Sequence, residues 1–122
     1  MVGLCDFQFS SVSNVDGNQE IIEFDAKGYR KEENENIIYY FKHDNNYKFI
    51  IKKDILYVEV NDSRYVFDKN KITASFINVV GNSISVNIET KLLNILDNKI
   101  QLEYEMIFDT FKGKYHITLE LY

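Results

Sequence analysis

The chain has no proline, no tryptophan, one cysteine, two histidines and five glycines in 122 residues. Each scarcity excludes something. Cys5 has no second thiol, so no internal disulfide framework exists, and the pattern fits a reducing compartment. His43, His116 and Cys5 lie far apart in sequence and lack the spacing of a zinc cluster. No apolar run approaches the ~20 residues that cross a bilayer as a helix. "MVGLC" lacks the basic start and apolar stretch of a signal sequence. A cytoplasmic protein that does not engage membranes is the expectation. Nucleophile elbow, P-loop and dinucleotide glycine motifs are all missing, so no cofactor and no metal are expected. The lack of proline and tryptophan beside 13 asparagines and 15 isoleucines reads as AT-rich codon bias, not as a structural demand.

What the chain does have is enough to build a core. Hydrophobic residues make up 45% and aromatics 15%. A chain of this length buries roughly 65% of its unfolded surface. One domain over residues 1–122 is expected, with no linker composition or repeat to divide it. Fourteen bases against 19 acids leave a net charge of −5. That balance disfavours non-specific binding to nucleic acid or anionic membranes.

Period-two alternation recurs throughout. "CDFQFS", "IIEFDA", "NIIYYFKH", "NYKFIIK", "DILYVEV", "RYVFD", "KITASFINVV", "SISVNIETKLL", "KIQLEYEMIFD" and "KYHITLELY" each read as a strand. "KLLNIL" could instead make one helical turn, and Glu32 to Asn36 reads as a polar loop. Asp, Asn and Gly punctuate the runs, at Asp16-Gly17-Asn18, Asp44-Asn45-Asn46, Asn61-Asp62, Asp68-Lys69-Asn70, Gly81-Asn82, Asp97-Asn98 and Lys112-Gly113. A turn at Lys112-Gly113 would set Phe108 opposite Ile117, Met106 opposite Leu119 and Tyr104 opposite Leu121. A loop at Asp97 would set Leu92 opposite Leu102, Thr90 opposite Tyr104, Ile88 opposite Met106 and Val86 opposite Phe108. Both registers keep one face apolar and leave Glu89, Lys91, Glu103, Glu105, His116 and Glu120 on the other. About ten strands with one dry face must protect their edges. The expected fold is therefore all-β: an antiparallel up-and-down barrel, with a two-sheet sandwich as the alternative.

The run "ASFINVVGNSISVNIETKLLNILDNKIQLEYEM" resembles the YwiB-like family of small bacterial proteins of unknown function. The matching positions are Phe76, Gly81, Thr90, Ile100, Leu102 and Tyr104. "KGYRKEENENIIYYFKHD" is similar to that family's earlier Gly-Tyr and Tyr-rich strands. Where the family carries an arginine followed by glycine in a central strand, this chain has "LYVEVNDSRY". The resemblance covers roughly residues 19 to 121. It implies a lipocalin-like, calycin-type barrel and no established activity.

Several residues are candidates for chemistry. His116, expected opposite Asp109, could be held in one tautomer by that carboxylate, but such surface pairs are ordinarily structural. Glu103 and Glu105 are roughly 7 Å apart on one strand face. A solvated pair with Lys91 opposite Glu103 explains them better than glycosidase chemistry does. Cys5 alternates with Phe7 and Phe9 and reads as a buried small hydrophobe. The reading leans away from an enzyme. Nine tyrosines are the suggestive feature. Tyr39, Tyr57 and Tyr104 are expected to face inward, with Phe41, Phe49, Phe76, Met106 and Phe108. Buried tyrosine hydroxyls need partners, and inside a barrel a ligand can supply them. Tyr39, Phe41, Tyr57, Phe76, Tyr104 and Met106 are thus the expected contacts of a small, mostly apolar ligand. The alternative is a side-chain-filled barrel that acts through its surface or as a homodimer.

Overall fold

The computed structural model describes residues 2–107 and 112–122. It contains strands β1 (Val2–Val15), β2 (Asn18–Glu33), β3 (Asn36–His43), β4 (Asn45–Lys52) and β5 (Ile55–Val60). These are followed by β6 (Ser63–Phe67), β7 (Thr73–Val79), β8 (Asn82–Leu96), β9 (Lys99–Ile107) and β10 (Lys112–Leu121). Each strand pairs antiparallel with its sequence neighbours, and β1 pairs with β10, so the sheet closes into an up-and-down barrel. Closure, not sandwiching, is how these strands protect their edges. "KLLNIL" is the end of β8, not a helical turn.

Alternation becomes burial directly. In β9, Ile100, Leu102, Tyr104 and Met106 point inward and are buried, while Gln101, Glu103 and Glu105 stay half-exposed. The turns use the left-handed region where the sequence supplies polar or glycine residues. Asp16-Gly17 and Asn34-Glu35 both have positive φ throughout, as do single residues at Asp44, Lys53 and Asn61. The β7–β8 turn is Val80-Gly81, with Val80 at φ 50°. A β-branched side chain is strained there.

Two registers differ from the sequence expectation. In β8, Thr90 pairs with Tyr104 and Ile88 with Met106 as expected, but Lys91 is an extra residue in a bulge, so Leu93 rather than Leu92 meets Leu102. The bulge moves the inward set from Val86, Ile88 and Thr90 to Leu93 and Ile95. In β10, Lys112 and Gly113 are not a turn. They lie inside the strand, where Gly113 pairs with Met106, Tyr115 with Tyr104 and Ile117 with Leu102. The shift is even, which is why the inward face survives it. Gly113 marks a close approach instead. A Cβ there would come within 2.8 Å of the Tyr115 ring. Phe108 and Asp109, the expected partners of Ile117, Val86 and His116, lie outside the described residues. His116 stands opposite Glu103.

The β6–β7 seam is thin. Only Arg64 and Phe76 pair directly. Side chains replace the missing ladder. Val66 N–H donates to Ser75 Oγ at 2.9 Å, Asn78 N–H to Ser63 Oγ at 2.9 Å, and the Thr73 hydroxyl to the Val66 carbonyl. All three hydroxyl residues are buried.

Candidate functional site

The two halves of the barrel interior differ. Towards the β2–β3, β4–β5 and β8–β9 turns it is filled. Phe7, Phe41, Phe49, Leu56, Ile100 and Leu119 are all 1% exposed or less. Phe41 lies among the rings of Phe7, Phe9, Phe24, Tyr47 and Phe49, with centroids 5.0–6.2 Å away. Tyr39 is buried against Phe7. Its hydroxyl lies by Arg30, a guanidinium held charged chiefly by Glu32 at 2.7 Å and secondarily by Tyr39. Tyr39 and Phe41 therefore face inward, as expected, but in the packed half.

Two expected ligand contacts face outward. Tyr57 sits between Ile50 and Val66 on the outer face, with the Arg64 guanidinium 4.6 Å and the Lys52 ammonium 5.4 Å from its ring centroid. Its neighbours Leu56 and Val58 take the inward positions. Phe76 is 60% exposed. In β7 the inward places go to Thr73, Ser75 and Ile77, because the thin seam needs hydroxyls there rather than a ring.

At the other end the interior opens into a cavity of about 330 Å³. Its floor is Phe9, Phe49 and Phe67. Its wall includes Tyr47, Tyr65, Tyr104, Met106 and Tyr115, and Ser11, Ser13 and Glu20 reach it from the β1–β2 hairpin. Of the six expected contacts, Tyr104 and Met106 are brought here. Tyr104 stacks on Tyr115, with ring centroids 4.9 Å apart and planes 11° from parallel, and packs against Phe67 at 4.6 Å. Gly113 makes this possible, since its missing side chain leaves room for the Tyr115 ring.

The hydroxyls of Tyr65, Tyr104 and Tyr115 remain neutral. Burial pushes Tyr104 well above its ordinary value, aided by the nearby Tyr65 and Tyr115 hydroxyls. Burial also raises Tyr65, and raises Tyr115 with help from Tyr65 and Glu20. Among the described residues, no protein group hydrogen-bonds to the hydroxyls of Tyr65, Tyr104 or Tyr115. Tyr104 is 6% exposed and lines the cavity, so its hydroxyl is a polar group of a nearly buried residue with no partner among the described residues. Beside it, the buried Thr90 Oγ1 is also without a hydrogen-bond partner among the described residues.

The sequence did not mark Tyr65, Tyr115 or Glu20 as ligand contacts, although Tyr115 alternates with Ile117 and Leu119 on the apolar face of "KYHITLELY". The short run "RYVFD" is apolar at three successive positions and gives no phase for Tyr65. Glu20 belongs to a hairpin whose inward face turns polar towards the rim, at Ser11, Ser13 and Glu20.

The outer face carries the charged candidates. His116 Nδ1 is 3.1 Å from Glu103 and Lys91 bridges Glu89 at 2.7 Å and Glu105 at 3.7 Å. Lys91 thus pairs with Glu89 and Glu105 rather than with Glu103. These side chains are largely solvated, apart from Glu105, and Lys91, Glu103, Glu105 and His116 line an outer groove of about 310 Å³. Among the described residues, no cluster of three or more His, Cys, Asp or Glu could hold a metal ion, and no helix is long and apolar enough to cross a membrane.

No family model matches the chain, and no curated protein matches it. Among solved structures it is similar to the crystal structure of the ywiB protein from Bacillus subtilis. The TM-score is 0.75 at 20% sequence identity, covering 98% of this chain and 92% of that one. At that identity the likeness is one of fold.

Proposed function

We propose that this barrel is a non-catalytic binding protein that takes a small, mostly apolar molecule into its open end. One observation carries the reading: a 330 Å³ cavity walled by aromatic rings and lined by the nearly buried Tyr104, whose hydroxyl has no hydrogen-bond partner among the described residues. That volume lies at the lower end of small-molecule sites, which are typically apolar with a few convergent polar groups. The ligand contacts are Tyr104 and Met106, joined by Tyr65 and Tyr115. Tyr39 and Phe41 support the site from the packed half. The charged outer face argues for water around the barrel, since lipid-facing strands carry an apolar band, and we place the protein in the cytoplasm. On the shared fold and the sequence resemblance, we also group it with the YwiB-like, calycin-type barrels.

Native mass spectrometry of protein purified from a bacterial lysate, compared with a denatured sample, tests the reading. A small mass that is lost on denaturation is the expected result, as is its loss from a cavity-filling Met106→Trp variant. A bare protein that also fails to bind a neutral probe such as Nile red overturns it.

A second reading has its own observation. The β7–β8 hairpin exposes Phe76, Val79, Val80 and Ile84, with Val80 95% exposed in a strained turn position. This favours contact through the surface, as in a homodimer. Sedimentation would then show a dimer that Val80→Asp dissolves.

A further inference from the structure

We propose that the open end selects amines: the ammonium of a small organic cation sits among the Tyr65, Tyr104 and Tyr115 hydroxyls and the Glu20 carboxylate. This rests on the binding reading above and adds the charge class of the ligand.

Among the described residues, Glu20 is the only one of the cavity lining that carries a charge, and that lining contains no Lys, Arg or His. The nearest bases along β8 and β10 are Lys91, Lys112, Lys114 and His116. They sit on the outer face, since Gly113, Tyr115 and Ile117 take the inward positions. Residues 108–111, which adjoin the strand ends, contain no base in sequence. A carboxylate or phosphate ligand would thus enter beside a like charge and find no cation, and an unpaired charge in a partly dry site is costly.

The tyrosines decide the rest. Their hydroxyls stay protonated, so they add no charge of their own, and each offers an oxygen lone pair. An ammonium has three donors and no acceptor. Three hydroxyl oxygens and one carboxylate can satisfy it, while the hydroxyl protons turn to water or to one another. The ring faces of the same wall attract a cation through their quadrupoles. A neutral alcohol would use the hydroxyls but gain nothing from Glu20. Size follows from volume. At about 30 Å³ per liquid water, the cavity holds roughly ten non-hydrogen atoms, about the size of an arylalkylamine.

The test is a matched set on one carbon skeleton: phenethylamine, phenethyl alcohol and phenylacetate. Binding is titrated by calorimetry at pH 7 and 0.1 M salt, with NMR shifts of the tyrosine ring protons locating the ligand. We expect the amine to bind roughly tenfold more tightly than the alcohol, and the acid to bind weakest, a difference on the order of 1.4 kcal/mol. Glu20→Gln, at an exposed rim position, should erase most of the amine's advantage and leave the alcohol unchanged. Tyr104→Phe should weaken amine and alcohol alike. Equal binding of acid and amine, or an amine preference that survives Glu20→Gln, overturns this inference and leaves the binding barrel standing. Failure of all three compounds together with Nile red overturns both.

Discussion

Gly28 and Gly113 both lie where a side chain would collide, yet their neighbours differ in what they can do about it. A Cβ at Gly28 would strike the Tyr40 carbonyl oxygen and come within 2.9 Å of the Phe41 Cα, both fixed backbone. Gly28 is also the residue of β2 at which pairing to β3 begins. Gly28→Ala should therefore cost about 3 kcal/mol in a urea titration. A Cβ at Gly113 would meet only the far end of Tyr115, which can swing away. Gly113→Ala should change stability by less than about 1 kcal/mol, yet displace the Tyr115 ring from Tyr104 and weaken ligand binding. A Gly113→Ala protein as unstable as Gly28→Ala would mean that Tyr115 is locked. At this scale the sequence was partly legible. Tyr104 and Met106 alternate cleanly with Glu103 and Glu105, so their inward direction was evident. Tyr57 was misplaced although Glu59, two residues on, shares its phase and marks the wet side. Phe76 was misplaced because the buried side of β7 is polar, and hydrophobicity pointed the wrong way.

The strands owe their stability to unequal seams. β1 and β2 pair along fourteen residues, from Val2–Lys31 to Val15–Asn18, whereas β6 and β7 share a single direct pair and rely on three hydroxyls. Ser75→Ala leaves the Val66 N–H buried without an acceptor and should destabilise the barrel by about 2 kcal/mol. Hydrogen exchange should then quicken first in β6 and β7. Uniform acceleration around the barrel would show that the seam is not its weak point. The β7–β8 turn offers the opposite change. Asparagine tolerates the left-handed region that valine resists, so Val80→Asn should raise stability by about 1 kcal/mol in thermal denaturation. Turn composition exposed most hairpins in advance, because Asp, Asn and Gly announce positive φ. The bulge at Lys91 was invisible, because Leu92 and Leu93 are equally apolar and only packing chooses between them.

For the molecule as a whole, the tyrosine wall couples stability to alkaline pH. Tyr104 loses its proton near the ordinary value of 10.0 when unfolded, and well above it when folded. Above pH 10 the unfolded chain therefore binds fewer protons than the folded one, and stability falls as pH rises. The full contribution is present below pH 10, and the loss continues up to the folded value. Tyr104 alone should remove about 1 kcal/mol between pH 10 and 11. Tyr104→Phe should flatten that slope, and an unchanged slope would place the ionisation elsewhere. By itself the sequence determined an all-β chain of alternating strands, because a period of two with polar turns admits no other packing of one dry face. The tertiary structure decided closure over a sandwich, since that depends on β1 meeting β10 across the whole chain. It also decided that one half of the interior is filled and the other open. That division comes from where rings, a glycine and a bulge fall around the circumference, a relation between strands that no single strand contains.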